Sequence, residues 1–265
     1  MNAIINGISL AYDDVGSGPV LLLIHGFPLC RKMWRPQLNA LPGAGFRVVA
    51  PDLRGFGDSD APDGPYSMDL FADDLVALLD HLDIPRAVVG GMSMGGYVLF
   101  NLLERYPERI SGACFITTRA HADDAEGKEQ RLKLAQGVMK FGPDVIVESF
   151  EQVLFARESL LERPKLVGEV YGWMTGTDSR GLAGGLLAMR ERKDYTELLG
   201  SFHCPALAMG AEDDRAAPLE RAWEIAAGIP GCRLGVIPHA GHMANLENPG
   251  AFNDCLLEFL RSLQS

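Results

Sequence analysis

One five-residue motif sets the tightest limits on how this chain can fold. Gly91-Met92-Ser93-Met94-Gly95 lies between an apolar run at residues 87–89 and a helix-like run that begins at Tyr97. In that setting the serine occupies a sharp strand-to-helix turn with a strained backbone, and its hydroxyl stands clear of the sheet. Glycines on either side let strand and helix pass close together. The motif therefore predicts an α/β fold with a nucleophile at Ser93, against the alternative of an ordinary glycine-rich turn.

Short apolar runs alternate with helix-like periodicities along the rest of the chain. The runs that we predict as strands lie at residues 4–5, 8–12, 20–24, 46–50, 87–90, 110–117, 206–209 and 233–237. The helix-like periodicities include residues 70–82, 97–106, 220–227 and 251–263. Asn6-Gly7, between the first two runs, is a strong hairpin signal. Such alternation implies βαβ units, so the predicted fold class is α/β, with a mostly parallel sheet of about eight strands flanked by helices.

Residues 119–201 interrupt this alternation. They contain helix-like patterns at residues 127–140, 145–155 and 182–192, and no convincing strand. Open α/β sheets bind ligands at the carboxyl edge of their strands. We therefore predict a core domain formed by residues 1–118 and 202–265, with residues 119–201 as a helical cap, or lid, over that edge. A peripheral helical subdomain without a role in binding is the alternative.

The composition argues against several classes of partner. The chain of 265 residues has 35 acidic and 24 basic side chains, a net charge of −11, whereas nucleic acids and anionic membranes attract basic patches. No apolar run approaches the roughly 18 to 20 residues of a membrane span, and residues 1–7 lack the basic start of a secretory signal. The five cysteines are scattered without metal-binding spacing, as in a reducing compartment. We expect a cytoplasmic monomer or homodimer that acts on a small molecule.

A base must accompany Ser93, because a serine hydroxyl alone is a weak nucleophile. His242 follows the predicted strand at residues 233–237 and precedes the C-terminal helix, which puts it at the same edge of the sheet as Ser93. His242 is therefore the predicted base, and His239, three residues earlier, is its near competitor. Three further histidines are interpreted as structural or surface residues: His81, His121 and His203.

An acid is needed in turn to hold the histidine in the correct tautomer. Three carboxylates, Glu212, Asp213 and Asp214, follow the predicted strand at residues 206–209. Asp214 is favoured because an arginine follows it and a proline comes four residues later, the spacing usual after such an acid. Asp213 would be the acid instead if the positions of the turn are counted forward from Gly210 at the end of the strand. Glu212 is interpreted as a solvated turn charge.

The chain order Ser93, Asp214, His242 is that of the α/β-hydrolases, and it differs from the orders of chymotrypsin-type and subtilisin-type proteases. The chain resembles the α/β-hydrolase superfamily over nearly its whole length. The matching motifs are His25-Gly26-Phe27-Pro28, Asp52-Leu-Arg-Gly-Phe-Gly-Asp-Ser59, Gly91-Met-Ser-Met-Gly95, Asp214-Arg-Ala-Ala-Pro218, and Gly241-His242 followed by Glu247-Asn-Pro249. Five motifs in the right order make this resemblance far more specific than any one of them.

The resemblance implies an oxyanion site. In that superfamily the backbone N–H after the nucleophile, here that of Met94, and one from the loop after the third strand, here that of Phe27, face the developing oxyanion. The resemblance also implies that His25 braces this loop. Asp52 and Arg54 are interpreted as architecture, with Arg54 paired to a nearby carboxylate.

The nucleophile narrows the reaction. Haloalkane dehalogenases and most epoxide hydrolases of this superfamily carry aspartate at that position, so Ser93 excludes their alkyl-enzyme mechanism. Acyl transfer remains, with carboxylic esters or lactones of small, largely apolar molecules as substrates. Amide and carbon–carbon hydrolysis use the same residues, although carbon–carbon hydrolases of the meta-cleavage type often carry tryptophan where this chain has Met243. The run His25-Gly-Phe-Pro-Leu29 with Trp34 resembles serine esterases and cofactor-free perhydrolases. The runs Gly91-Met-Ser-Met-Gly-Gly96 and Thr118-Arg119-Ala120 are similar to those of 3-oxoadipate enol-lactonases.

Candidates for the substrate pocket are the side chains Trp34, Met92, Arg119 and Met243. Arg119 would contact a substrate carboxylate, or it is a surface arginine at the start of the insertion. No metal-ligand spacing, P-loop or dinucleotide motif is present in the sequence, so neither a metal nor a cofactor is expected. A homologue that senses a small molecule without catalysis is the alternative from another class, and the intact set of Ser93, Asp214 and His242 favours the enzyme.

Overall fold

An eight-stranded sheet forms the centre of the structure, a computed structural model in which residues 1–264 are described. Its strands are β1 (Asn2–Ile5), β2 (Ile8–Val15), β3 (Val20–Ile24), β4 (Arg47–Pro51), β5 (Ala87–Met92), β6 (Ile110–Ile116), β7 (Ala206–Ala211) and β8 (Arg233–Ile237). Their order is β1-β2-β4-β3-β5-β6-β7-β8. The β1–β2 and β2–β4 pairs are antiparallel, and every other neighbouring pair is parallel. The predicted α/β class with a mostly parallel sheet is therefore confirmed.

Eleven α-helices accompany the sheet within the described part of the chain. They are α1 (Arg35–Ala40), α2 (Met68–His81), α3 (Met94–Arg105), α4 (Ala125–Phe141), α5 (Asp144–Phe150), α6 (Arg157–Glu162), α7 (Pro164–Thr175), α8 (Ser179–Arg190), α9 (Glu220–Gly228), α10 (Ala244–Glu247) and α11 (Pro249–Ser262). The predicted helices outside the insertion correspond to α2, α3, α9 and α11. Helices α1 and α10 were not predicted. They have six and four residues, and such lengths are too short to establish a helical periodicity.

The predicted hairpin joins β1 and β2. Ile5 pairs with Ile8, which leaves Asn6 and Gly7 as a two-residue turn. Both turn residues have positive φ, 47° and 81°, as the type I′ turn requires and as Asn-Gly favours. The hairpin extends the sheet beyond β4 with two antiparallel strands.

Helix α3 carries the chain away from the Ser93 turn and is buried along its first ten residues. Its Phe100 ring stacks on Phe115 of β6, with centroids 4.4 Å apart, and on Tyr195 beyond α8, at 5.2 Å. Stacking on these two rings adds to the burial that fixes this helix. The N-terminus of α3, and with it the Ser93 turn, is therefore held rigidly against the sheet.

Residues 119–201 contribute helices α4 to α8 and no strand to the described structure. Helix α5 ends at Phe150 rather than at residue 155, because the following backbone bonds elsewhere: the Leu154 carbonyl accepts from the Met243 N–H at 3.1 Å. Helices α6 and α7 were not predicted, since α6 is short and two glycines weaken the helical signal of α7. The division into core and cap stays a prediction.

Candidate active site

The Ser93 turn has the strained backbone that its motif predicts. Ser93 has φ 52° and ψ −113°, a conformation that costs free energy for a residue with a side chain and persists only where its surroundings enforce it. Its N–H donates to the Ile116 carbonyl at 3.0 Å. A Cβ at Gly91 would overlap the Gly95 carbonyl, and one at Gly95 would overlap that of Ile24. Glycine is thus required on both sides of the serine.

Two consecutive threonines at the end of β6 join the serine turn to the histidine loop. The Thr118 hydroxyl donates to the Ser93 carbonyl at 2.8 Å, and the Thr117 hydroxyl donates to the His242 carbonyl at 3.3 Å. A Cβ at Gly96 would overlap the Thr118 side chain, which explains the second glycine after Met94. Neither of these two hydrogen bonds was predicted from the sequence, in which Thr117 is the last residue of the predicted strand at residues 110–117.

His242 is hydrogen-bonded to one of the three candidate acids. Its Nδ1 lies 2.8 Å from Oδ2 of Asp214, and both residues are buried. The other oxygen, Oδ1, accepts from the N–H groups of Ala216 and Ala217 at 2.8 and 2.9 Å. Asp213 is exposed instead. The geometry therefore pairs His242 with Asp214, and fixes Asp214 in place through the backbone that follows it.

The competing histidines lie elsewhere. His239 is exposed with φ 52°, and its backbone N–H donates to Glu212 at 3.1 Å. His81 and His203 are exposed, and His121 lies 3.5 Å from Glu224 at the surface.

His25 is fully buried and bridges two loops. Its Nδ1 lies 2.9 Å from the Gly26 carbonyl, and its Nε2 lies 3.0 Å from the Leu53 N–H, which donates to it. Only the neutral ring can accept at Nε2, and burial lowers the pKa of His25 from its usual 6.5. The ring thus connects the loop after β3 with the loop after β4, which agrees with the bracing role expected for it.

The two backbone groups implied for the oxyanion site adjoin the serine. Helix α3 begins at Met94, so the first N–H groups of that helix have no partner within it. The loop of Phe27 lies against Ser93, because a Cβ at Gly26 would stand 3.2 Å from the Ser93 Cβ. The Phe27 side chain is buried, with its ring 6.0 Å from that of Phe56.

The four predicted pocket residues have different surroundings. Trp34, Met92 and Met243 are fully buried, and the Trp34 ring packs 6.2 Å from that of Phe252. Arg119 is half-buried and lines a cavity of about 570 Å³ whose lining residues all belong to the insertion, and to which the other three do not contribute.

Asp52 and Arg54 make structural contacts. Asp52 is ion-paired with Arg31 and accepts from the Asp58 N–H at 2.8 Å. Arg54 forms two hydrogen bonds to Asp74, at 2.5 and 2.7 Å. These contacts agree with the architectural interpretation, including the pairing expected of Arg54.

Glu247 has a position that the sequence did not reveal. One carboxylate oxygen accepts from the N–H of Gly241, next to His242, and the other from the N–H of Ala156 in the insertion, both at 2.9 Å. Burial raises the pKa of this carboxyl above its usual value. The motif that contains Glu247 was visible in the sequence, but its partner Ala156, 91 residues away, carried no signal.

Two features are absent from residues 1–264. No three His, Cys, Asp or Glu side chains gather in a group that could hold a metal ion. No helix there is both long and apolar enough to cross a lipid bilayer.

Three features of the structure define the α/β-hydrolase class. They are the sharp turn at Ser93, the buried hydrogen bond between His242 and Asp214, and the mostly parallel sheet of eight strands. The family model for the alpha/beta hydrolase fold matches residues 19–249, and the chain belongs to this family. Membership supports hydrolase activity for the chain.

Two solved structures and one curated relative match this chain over nearly its full length. A thermophilic esterase from Thermogutta terrifontis is 36% identical, with a TM-score of 0.96 and coverage of 100% of this chain and 99% of that one. The enol-lactonase from Burkholderia xenovorans LB400 is 29% identical, with a TM-score of 0.92 and coverage of 98% and 100%. The AB hydrolase superfamily protein YisY of Bacillus subtilis is 30% identical over 263 residues, 96% of each chain.

Proposed function

We propose that this protein hydrolyses carboxylic esters or lactones through an acyl-enzyme on Ser93. The observation that carries the proposal is the buried hydrogen bond of 2.8 Å between His242 and Asp214. The Thr117 hydroxyl donates to the His242 carbonyl, and this bond connects the histidine loop to the strand beside the Ser93 turn. An orienting acid on Nδ1 leaves Nε2 of the imidazole free to take a proton. An esterase and an enol-lactonase among the relatives support the choice of bond.

Acylation begins when the Ser93 Oγ attacks the carbonyl carbon of the substrate. The hydroxyl proton passes to Nε2 of His242, and Asp214 stabilises the resulting imidazolium. The carbonyl electron pair moves to the oxygen, which accepts hydrogen bonds from the N–H groups of Phe27 and Met94. The bond to the leaving oxygen then breaks, and His242 gives that oxygen its proton.

Deacylation repeats these steps with water. His242 takes a proton from the water as it attacks the acyl carbon, and the Ser93 oxygen leaves with the proton that His242 returns. The products are the carboxylic acid and the free enzyme. Hydrogen peroxide in place of water would give a peracid at the same acyl-enzyme.

We also propose that residues 119–201 act as the cap of this site. Three hydrogen bonds support this, because they join the insertion to the loops of the predicted base and acid. Leu154 accepts from Met243, Ala156 donates to Glu247, and Phe155 accepts from Arg215 at 2.9 Å.

A labelling experiment tests the proposed function. An organophosphonate probe should modify the wild-type protein and not Ser93→Ala, and p-nitrophenyl esters should be hydrolysed by the wild type alone. Ser201→Ala, at an exposed serine, is the matched control and should behave as wild type. Absence of both labelling and ester turnover would favour the non-catalytic ligand-sensing homologue instead.

A further inference from the structure

A left-handed backbone conformation marks the residue that follows β6. Thr117 has φ 39°, which is a rare conformation for a residue with a branched β-carbon because the side chain crowds the backbone. Such a conformation costs free energy and persists only where its surroundings enforce it. The N–H of Thr117 donates to the Met209 carbonyl of β7 at 2.8 Å. The sheet therefore holds a strained threonine at its carboxyl edge.

The position of Thr117 sets it apart from other strained residues. Within residues 1–264, four further non-glycine residues have positive φ: Asn6, Asp83, Ser93 and His239. Asn6, Asp83 and His239 lie in exposed turns, whereas Ser93 and Thr117 directly follow the neighbouring parallel strands β5 and β6. Thr117 is buried, with 2% of its surface exposed. Its strain therefore points to a role beside the Ser93 turn.

Two successive hydroxyl groups donate to the backbone of the proposed nucleophile and base. In an extended strand, successive side chains point to opposite faces of the sheet, and the turn at Thr117 ends this alternation. The Thr117 hydroxyl reaches the His242 carbonyl at 3.3 Å, and the Thr118 hydroxyl reaches the Ser93 carbonyl at 2.8 Å. Both threonines are buried. We call Thr117 and Thr118 the threonine bridge.

Three consecutive residues at the end of β6 thus contact both loops. The Ile116 carbonyl accepts from the Ser93 N–H at 3.0 Å, and Thr118 donates to the carbonyl of the same serine. The serine turn is therefore fixed from both of its backbone polar groups, and Thr117 fixes the loop of His242 from the next position along the chain.

Other hydrogen bonds of the histidine loop lead to different parts of the molecule. The Gly241 N–H donates to the carboxylate of Glu247 on α10, and the Met243 N–H donates to the Leu154 carbonyl in the insertion. These bonds place the loop relative to α10 and to residues 119–201. Thr117, in contrast, connects the loop to the strand that also holds the serine turn.

We propose that Thr117 and Thr118 are positioning residues, and that the threonine bridge sets the separation between Ser93 and His242. The strain at Thr117 persists because a relaxed backbone would direct the two hydroxyls away from the carbonyls that they now reach. Misplacement of reacting groups by about 1 Å can slow a reaction by about 10²-fold. The inference rests on the proposed function, to which it adds two residues that touch neither substrate nor reacting atoms.

Variants of similar shape test the bridge. Thr117→Val and Thr118→Val keep the branched β-carbon and remove the hydroxyl. Each should lower kcat for p-nitrophenyl esters by about tenfold with KM little changed, because alignment is lost while substrate contacts stay. The larger loss is expected in Thr118→Val, whose hydrogen bond is the shorter one. Thr117→Ser and Thr118→Ser restore the hydroxyl and should recover most of the wild-type kcat.

Glycine separates the hydroxyl from the backbone conformation. Thr117→Gly relaxes the strain, because glycine adopts positive φ without steric cost, but it lacks the hydroxyl and should lose as much kcat as Thr117→Val. Asp83→Gly is the matched control at an exposed turn residue with φ 54°. Thr175→Val removes a hydroxyl that donates to the Tyr171 carbonyl within α7. Both controls should keep the wild-type kcat.

The outcomes separate this inference from the proposed function. Wild-type kcat in both valine variants, with turnover still dependent on Ser93, would overturn the threonine bridge and leave the hydrolase standing. Equal losses in the valine and serine variants would also overturn it, since the hydroxyl would then make no difference. Thermal unfolding identifies any variant that fails to fold, and Thr117→Ala and Thr118→Ala then take its place.

If the wild type hydrolyses no ester, the proposed function fails and crystal structures decide about the bridge. The distance between the Ser93 Oγ and the His242 Nε2 is then measured in the wild type, Thr117→Val and Thr118→Val. A longer distance in the valine variants, restored in the serine variants, supports the positioning role. An unchanged distance contradicts it.

Discussion

At the scale of the residue, the geometry of the site depends on the hydrogen bonds that fix individual side chains in position. Asp214 uses one oxygen for two backbone N–H groups and the other for His242, so its position and that of the ring are set together. Asp213, its neighbour, is exposed. Sequence spacing alone left Asp213 and Asp214 as alternatives. The direction in which each carboxylate points depends on how the loop after β7 packs against the loop that carries His242.

This neighbouring pair gives a controlled experiment. Asp214→Asn should lower kcat for ester hydrolysis by about 10⁴, because an amide favours the wrong tautomer of His242. Asp213→Asn changes the adjacent residue in the same way and should keep kcat within a few-fold of wild type. A large loss in Asp213→Asn with none in Asp214→Asn would reverse the assignment of the acid.

At the scale of the element, the backbone of residues 154–156 fastens the helical insertion to the loops of the predicted base and acid. Sequence patterns located helix α4 and helix α8 because their periodicity is local. The early end of α5 was not predictable, since it depends on hydrogen bonds to Met243 and Glu247, far along the chain. Tertiary contacts of this kind leave no local pattern.

A substitution at Glu247 tests whether the attachment of residues 154–156 affects the predicted base, His242. Glu247→Gln turns one oxygen into an N–H group that faces a backbone N–H, and an unsatisfied buried group of this kind costs about 1 to 3 kcal/mol. We expect stability to fall by that amount and kcat to fall about tenfold with KM little changed, because the Gly241–His242 loop moves. Exposed Glu258→Gln is the control. A loss of stability without loss of kcat would mean that Glu247 serves the fold alone.

At the scale of the whole molecule, the alternation of strands and helices was predictable because most of the apolar runs are buried strands of the same sheet. Val20–Ile24, Ala87–Met92 and Ala206–Ala211 are buried over nearly their full length, so their patterns are strong. The gathering of three arginines around Asp123 was not predictable. Arg119, Arg131 and Arg192 are separated along the chain, and only folding brings them around Asp123.

Stability of the whole fold should decline on mild acidification because of His25. Its pKa in the folded protein is lowered from 6.5, so below that pH the unfolded chain binds a proton that the folded chain excludes. The free energy of unfolding is unaffected by this group above pH 6.5 and falls by up to about 1.4 kcal/mol per pH unit below it. Acids with lowered pKa values, such as Asp73 and Glu104, lose their contributions only at lower pH.

Urea unfolding of the wild type and of His25→Gln between pH 8 and 5 measures this contribution. The variant should be less stable at pH 8, because Gln does not reproduce both contacts of the ring to Gly26 and Leu53. The difference in stability should then narrow as the pH falls below 6.5, since only the wild type contains the buried imidazole. His203→Gln, at an exposed histidine, should follow the wild-type curve. A difference between wild type and His25→Gln that stays constant down to pH 5 would show that the buried ring accepts a proton without penalty.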